Sequence, residues 1–305
     1  MTTPLIVTPP GPGEPAAEAV PAPKKAPRRR RLPRFLGSRF ALGFLVVGVL
    51  AAIFAPAVAP FDPTEQNLLN RLAEPSLFGG GGEHLLGTDE LGRDLLSRAI
   101  YGGRVSFMVG FVAATLAGLL GTILGILAGY YRGVLEAVIM RLVDVLTAFP
   151  FLIVALSVVA VFGATLPVLI TILVFWEWVP FTRLAHAKTL HVVSTDYFRA
   201  AVAIGRRGTG ILARHVLPNI AGPLIVVWTF VVARAIVIES SLSFLGLGVP
   251  PPTATWGQML SASRGYLDTA WWIPLVPGVA ITLVVLSVNI VGDWMSERWD
   301  PHGRR

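Results

Sequence analysis

Polar and charged residues crowd into short intervals between six long apolar stretches, at residues 40–59, 105–130, 142–162, 166–181, 220–238 and 271–291. Each is close to the ~20 residues that a helix needs to cross ~30 Å of hydrocarbon. The fourth is the shortest and can extend through Leu184. The second has no charged residue between Val105 and Gly129, whereas the third and fifth each hold one ionisable side chain, Asp144 and Arg234. The pattern predicts an all-α polytopic membrane protein with six transmembrane helices, an even number that puts both termini on one side.

The segment before the first stretch reads differently. It has nine prolines and no aromatic residue up to Pro33, and a basic run at Lys24, Lys25 and Arg28 to Arg31. Such a segment cannot bury enough apolar surface to offset its chain entropy, so residues 1–38 are expected to be a disordered basic tail and 39–305 the membrane domain. Basic residues followed by an apolar run and Ala57-Val58-Ala59 also resemble a cleavable signal, and Arg30-Arg31 a twin-arginine signal. The basic region begins too far from the start, and the apolar run exceeds the usual 7 to 15 residues. The stretch is therefore read as a retained span.

Composition agrees with this reading. Of 305 residues, 54% are hydrophobic and 14% charged, against ~25% charged in soluble domains. The absence of cysteine excludes disulfides, thiolate zinc sites and a cysteine nucleophile. The net charge of +7 is not a nucleic-acid footprint, because the basic residues share no face or stripe. With the termini inside, 19 of the 25 lysines and arginines fall in inner segments and five in outer ones, which orients both termini toward the cytoplasm. The inner coupling loop then spans about 186–219, and the outer loops about 60–104 and 240–270.

Candidate chemistry is sparse. Gly121, Gly125 and Gly129, with Ala117, recur every four residues and share one helix face, which predicts close packing by another helix. Glu177 and Arg183, and Arg234 and Glu239, are spaced six and five apart, so neither pair shares a helix face. All four lie near predicted span ends, where interfacial hydration would satisfy them. Arg141 and Asp144, three apart, are expected to form an interfacial ion pair. There is no phosphate-binding loop, no H-E-x-x-H and no G-x-S-x-G. The histidines lack metal-ligand spacing and are expected to be structural, and no metal site is predicted.

The segment 186–219 is too long for a simple turn between two spans. Ser194-Thr195-Asp196 offers capping residues before a short helix-forming run closed by Gly205, and a second run, 211–216, ends at Leu217-Pro218-Asn219. Two short helices joined at a glycine would make a docking surface on the inner membrane face.

Here the sequence resembles the permease subunits of ATP-binding-cassette importers, whose inner loop carries E-A-A, three residues, Gly, nine residues, I-x-L-P. Ala200-Ala201, Gly205 and His215-Val216-Leu217-Pro218 fall in that register, with Arg199 replacing the glutamate and His215 the isoleucine. Both departures look like the variant of the oligopeptide, dipeptide and nickel importers. Segments 87–98, 101–106 and 242–252, with Trp256-Gly257, Asn289 and Asp300-Pro301, resemble the C-type subunit of that group. The resemblance covers residues 40–301 and implies a type I importer permease fold at the plasma (inner) membrane.

The same resemblance implies a non-catalytic half-pore. Its partners would be a B-type permease subunit, two ATPase subunits that bind the ATP and Mg, an extracytoplasmic solute-binding protein and the lipid bilayer; this chain would bind no cofactor and no nucleic acid. The ATPase-contacting residues would be Asp196, Tyr197, Arg199, Ala200, Ala201, Gly205, His215, Leu217 and Pro218. A proline-fixed, glycine-punctuated outer segment with Phe244, Leu245, Gly246, Gly248, Pro250 and Trp256 suits an outer gate or lip. The alternative, a secondary transporter of small solutes, should show internal repeats and mid-span ionisable groups. The sequence shows no repeat, and its ionisable groups are expected near span ends.

Overall fold

A computed structural model describes residues 34–299 except Gly81 and Arg207. Most of the predicted tail, Arg207 and the Asp300-Pro301 pair lie outside the described residues. Helix α1 (Arg34–Ile53) begins ahead of the boundary expected at residue 39 and is followed by the single turn α2 (Ala55–Val58). The remaining helices are α3 (Leu95–Tyr131), α4 (Gly133–Ala148), α5 (Phe151–Phe162), α6 (Leu166–Ser194), α7 (Asp196–Ala203), α8 (Thr209–Ile211), α9 (Leu217–Phe244), α10 (Trp256–Ala262) and α11 (Trp272–Trp299).

Among the described residues, four helices are long and apolar enough to cross a membrane: α3, α6, α9 together with the π-helical turn that precedes it from Leu212, and α11. The expected third span is broken. The α4–α5 pair passes the same criterion only when joined and is bent by 88°. Pro150 causes the break: it lacks an N–H, and it drives Phe149 out of the helical region to φ −91°, ψ 141°. Counting that pair gives five crossings rather than six, and α1 supplies a shorter apolar helix, Gly37–Ile53.

Helix directions explain why the bent pair has to return the chain. Gly121 lies against Trp178 and Phe181, and Gly129 against His186 and Thr189, so α3 and α6 run parallel. The chain leaves α3 at one end and enters α6 at the other. On the way back, Glu136 meets His186, Asp144 meets Arg183, and Phe151 meets Trp176. Helix α9 is antiparallel to α3, with Trp228 near Thr115 and Glu239 near Ser106.

The α3–α6 interface is the most extensive in the fold and depends on missing side chains. A Cβ on Gly121 would sit 2.3 Å from the Trp178 carbonyl oxygen, one on Gly125 2.5 Å from the Thr182 carbonyl oxygen, and one on Gly129 2.8 Å from the Thr189 Cβ. The two backbones touch along this row. Thr182 uses the proximity by donating its hydroxyl to the Gly121 carbonyl at 3.1 Å, which satisfies a buried polar group between the helices.

Candidate functional site

The predicted coupling segment is built at the end where α3 and α6 finish. A single extended residue, Thr195, separates α6 from α7 and caps α7 by accepting from the Phe198 N–H at 3.4 Å. Phe198 and Ala201, three apart, form the buried face of α7, and the Phe198 ring meets Tyr130 edge-on at 6.4 Å. Asp196, Tyr197, Arg199 and Ala200 remain exposed. Ala201 therefore does not present itself to a partner as expected; it is the small residue that lets α7 sit close to the spans.

Gly205 ends the helix at φ +88°, with Arg206 N–H bonded back to the Ala201 carbonyl at 3.2 Å. A left-handed terminus of this kind favours glycine. The second run expected beyond it is not a separate short helix. Residues 212–216 form a π-helical turn that continues directly into α9, whose first two residues are the exposed Leu217 and Pro218. The Tyr197 hydroxyl meets His215 Nδ1 at 2.5 Å and ties α7 to this turn. Tyr197→Phe removes about 1 kcal/mol of net hydrogen bonding. Amide hydrogen exchange over residues 196–205 is expected to accelerate by about five-fold, and an unchanged rate would show that the contact does not hold α7.

The predicted lip lies at the opposite end. Helix α9 closes at Gly246, φ +84°, with Leu247 N–H bonded to the Leu242 carbonyl at 2.9 Å. Gly248 lies directly on Ser243, and exposed Leu245 and Pro250 flank it. The Arg264 guanidinium sits 3.8 Å above the Phe244 ring. Trp256 points inward: it is buried against Gly102 and Gly103 and donates its indole N–H to the Ala99 carbonyl at 2.8 Å.

Beside it, the predicted outer loop is shorter than 60–104, because α3 already starts at Leu95. Asp94 caps α3 by accepting from Ser97 N–H at 2.8 Å and meets His84 at 3.0 Å. Asp89 is buried. Its Oδ1 accepts from the Leu91 and Arg93 N–H groups at 2.9 and 3.0 Å, and its Oδ2 lies 2.7 Å from Arg93 Nε and 3.4 Å from Arg98 Nε. Arg98 also donates to the Pro63 carbonyl at 3.1 Å. Nearby, the Thr64 hydroxyl and N–H donate to Asp62 and hold its carboxyl below the usual range. Sequence reasoning assigns this cluster no role, although the alternation of Asp and Arg residues is its visible signal.

The intramembrane charges also differ from expectation. Glu177 is the twelfth residue of the 29-residue α6, fully buried, and not at a hydrated span end. Its Oε2 accepts from Arg234 Nε at 3.1 Å and also from Arg234 Nη2. Glu239 is likewise buried, accepting from Ser106 across the α3–α9 interface at 3.0 Å and from Ser243 at 2.9 Å. Asp144 meets Arg183 at 3.3 Å instead of Arg141. The helix continuing past residue 181 accounts for the first difference, and the other helices supply the partners.

Comparison with known proteins agrees with this architecture. Residues 121–305 match the family described as binding-protein-dependent transport system inner membrane component, and residues 30–75 match the N-terminal TM domain of oligopeptide transport permease C. The dipeptide transport system permease protein DppC of Escherichia coli K12 is 43% identical over 266 residues, covering 87% of this chain and 89% of its own. The di/tripeptide transport system permease protein DppC of Pseudomonas aeruginosa is 39% identical over 271 residues, covering 88% and 89%. A putative peptide transport system permease protein of Brucella abortus is 40% identical over 272 residues, covering 89% and 90%. The chain belongs to the family of binding-protein-dependent transport system inner membrane components, and is the multi-pass inner-membrane subunit of an ATP-binding-cassette importer.

Proposed function

We propose that this subunit forms half of a translocation pathway for peptides or a related small solute and couples it to ATPase subunits through α7. The observation that carries the reading is the two-sided build of α7: Phe198 and Ala201 seat it on the spans while Asp196, Tyr197, Arg199 and Ala200 face outward. An eight-residue helix fixed at both ends, by Thr195 and Gly205, is a rigid surface for a partner to push. Small Ala200 permits entry into a cleft, and Arg199 can meet acidic groups there. His215, Leu217 and Pro218 border the same surface. The absence of a phosphate-binding loop in the sequence fits ATP and Mg being held by two partner ATPases.

In this reading α1 and the bent α4–α5 pair complete six crossings, with both termini cytoplasmic as the distribution of basic residues directs. A B-type permease supplies the other half of the pathway. The 244–256 segment and the Asp89 loop face the solute-binding protein. The pathway alternates because contacts at α7 differ between the ATP-bound and ATP-free partners. Peptide as the solute follows the relatives named for dipeptide and di/tripeptide transport.

Co-purification of this subunit with its ATPases and ATP-driven uptake in proteoliposomes tests the reading. Ala201 is 5% exposed, so Ala201→Arg forces a charged side chain beneath α7 and lifts it from its seat. Uptake is expected to fall at least ten-fold while the subunit still inserts. Wild-type uptake by that variant would remove α7 from the coupling path.

A further inference from the structure

Arg234 occupies an unusual position for a charged residue in a membrane helix. It is residue 18 of the 28 in α9, yet its side chain is 53% exposed, whereas its partner Glu177 is 0% exposed. Phe230, Arg234, Val237 and Ser241, spaced four, three and four apart, form one exposed face of α9. On neighbouring α6, Thr171 and Phe175 are exposed as well. A guanidinium on a lipid-facing surface at this depth is expensive, so intramembrane arginines face water or protein.

The pair is also incompletely satisfied. Glu177 Oε2 takes both hydrogen bonds from Arg234, and Glu177 Oε1 is buried without a partner among the described residues. A buried ion pair contributes little stability when its remaining oxygen lacks a donor. Glu177 instead fixes the orientation of the arginine by its Nε and Nη2 edge. The other guanidinium N–H groups make no hydrogen bond within the described residues, and such a planar fork recognises carboxylates.

Resting on the reading of this chain as half of a solute pathway, we propose that Arg234, oriented by Glu177, lines that pathway and takes the carboxylate of the passing solute. Arg234 is the contacting group and Glu177 a positioning residue.

The test uses the assembled transporter in proteoliposomes with trialanine and its C-terminal amide as probes. Glu177→Gln with Arg234→Gln removes both charges without leaving a buried carboxylate unpaired. In this double variant the KM for trialanine is expected to rise ten-fold or more, with the maximal ATP-driven rate and the KM for the amide each changing less than two-fold. Arg234→Lys should retain most of the preference for the free carboxylate. Equal losses for both probes, or no change for either, would overturn the proposal.

A second measurement does not depend on transport by the double variant. The chain has no cysteine, so Arg234→Cys with Glu177→Gln adds a unique thiol to this subunit. A membrane-impermeant thiol reagent should label it, and trialanine should slow labelling at least three-fold. An unreactive thiol, or labelling indifferent to trialanine, would also overturn the assignment. Absence of ATP-driven trialanine uptake by the wild type would instead sink the peptide reading beneath it, which distinguishes the two failures.

Discussion

Gly125→Leu is expected to eliminate the folded subunit. At this position a bare Cβ would approach the Thr182 carbonyl oxygen to 2.5 Å, the Ala185 Cβ to 2.6 Å and the His186 nitrogen to 2.9 Å. None of these is the free end of a flexible side chain, so the clash cannot be relieved by a rotamer change. Inserting one methyl into such packing costs about 1–3 kcal/mol, and Gly125→Ala should lower thermal stability by that amount. Leucine adds three more carbons between two touching backbones and has to separate α3 from α6. Size-exclusion chromatography of the solubilised subunit reads the result directly. A monodisperse Gly125→Leu variant of wild-type stability would mean that the two helices do not approach this closely.

The second large effect is expected at Asp89. Its carboxylate joins two backbone N–H groups and two arginines, and the side chains of Asp89 and Arg98 are nearly inaccessible at 4% and 2% exposure. Asp89→Ala leaves Arg98 buried with the Pro63 carbonyl as its hydrogen-bond acceptor, while Arg93 retains Glu90 at 3.2 Å. Breaking a buried pair from one side costs about 3–5 kcal/mol. Residues 62–94 should then become protease-sensitive at temperatures where the wild type resists cleavage. Asp89→Asn can keep the two backbone hydrogen bonds and is expected to lose only part of that stability. If Asp89→Ala resists protease like the wild type, the cluster is not what closes the loop.

How much of this is legible in the sequence depends on the range over which each feature acts. The crossing at α3 is visible because apolarity over a 20-residue window is a local transfer property, and the Gly121, Gly125, Gly129 row because it has the period of its helix. The cap at Thr195 and the stop at Gly205 are visible for the same reason. The bend at Pro150 is not, since a hydropathy window measures burial and carries no direction. Proline itself is the available signal: it restricts Phe149, but equally sits inside continuous α6 at Pro180.

Long-range pairings escape for a different reason. Glu177 and Arg234 are 57 residues apart and Ser106 and Glu239 are 133 apart, so no periodicity relates them. One signal is present, because two opposite charges on two antiparallel spans have no local partner. Ala201 misleads through its size alone. A small residue permits close approach on whichever side of the helix it lies, and the side is decided by Phe198 three positions earlier.

The touching backbones of α3 and α6 have a mechanical consequence. Helix α6 alone is a slender rod, about 43 Å long for its 29 residues, and a slender rod flexes when loaded at its tip. Bonded along the glycine row to the longer α3, it becomes a two-stranded beam, much stiffer against bending in the plane of the pair. A load applied at α7 would enter this beam both through Thr195, which joins it to α6, and through the Phe198 ring packed on Tyr130 of α3. A displacement there would reach the far end as rotation of the whole beam rather than as bending of α6, because the glycine row lets the two backbones touch.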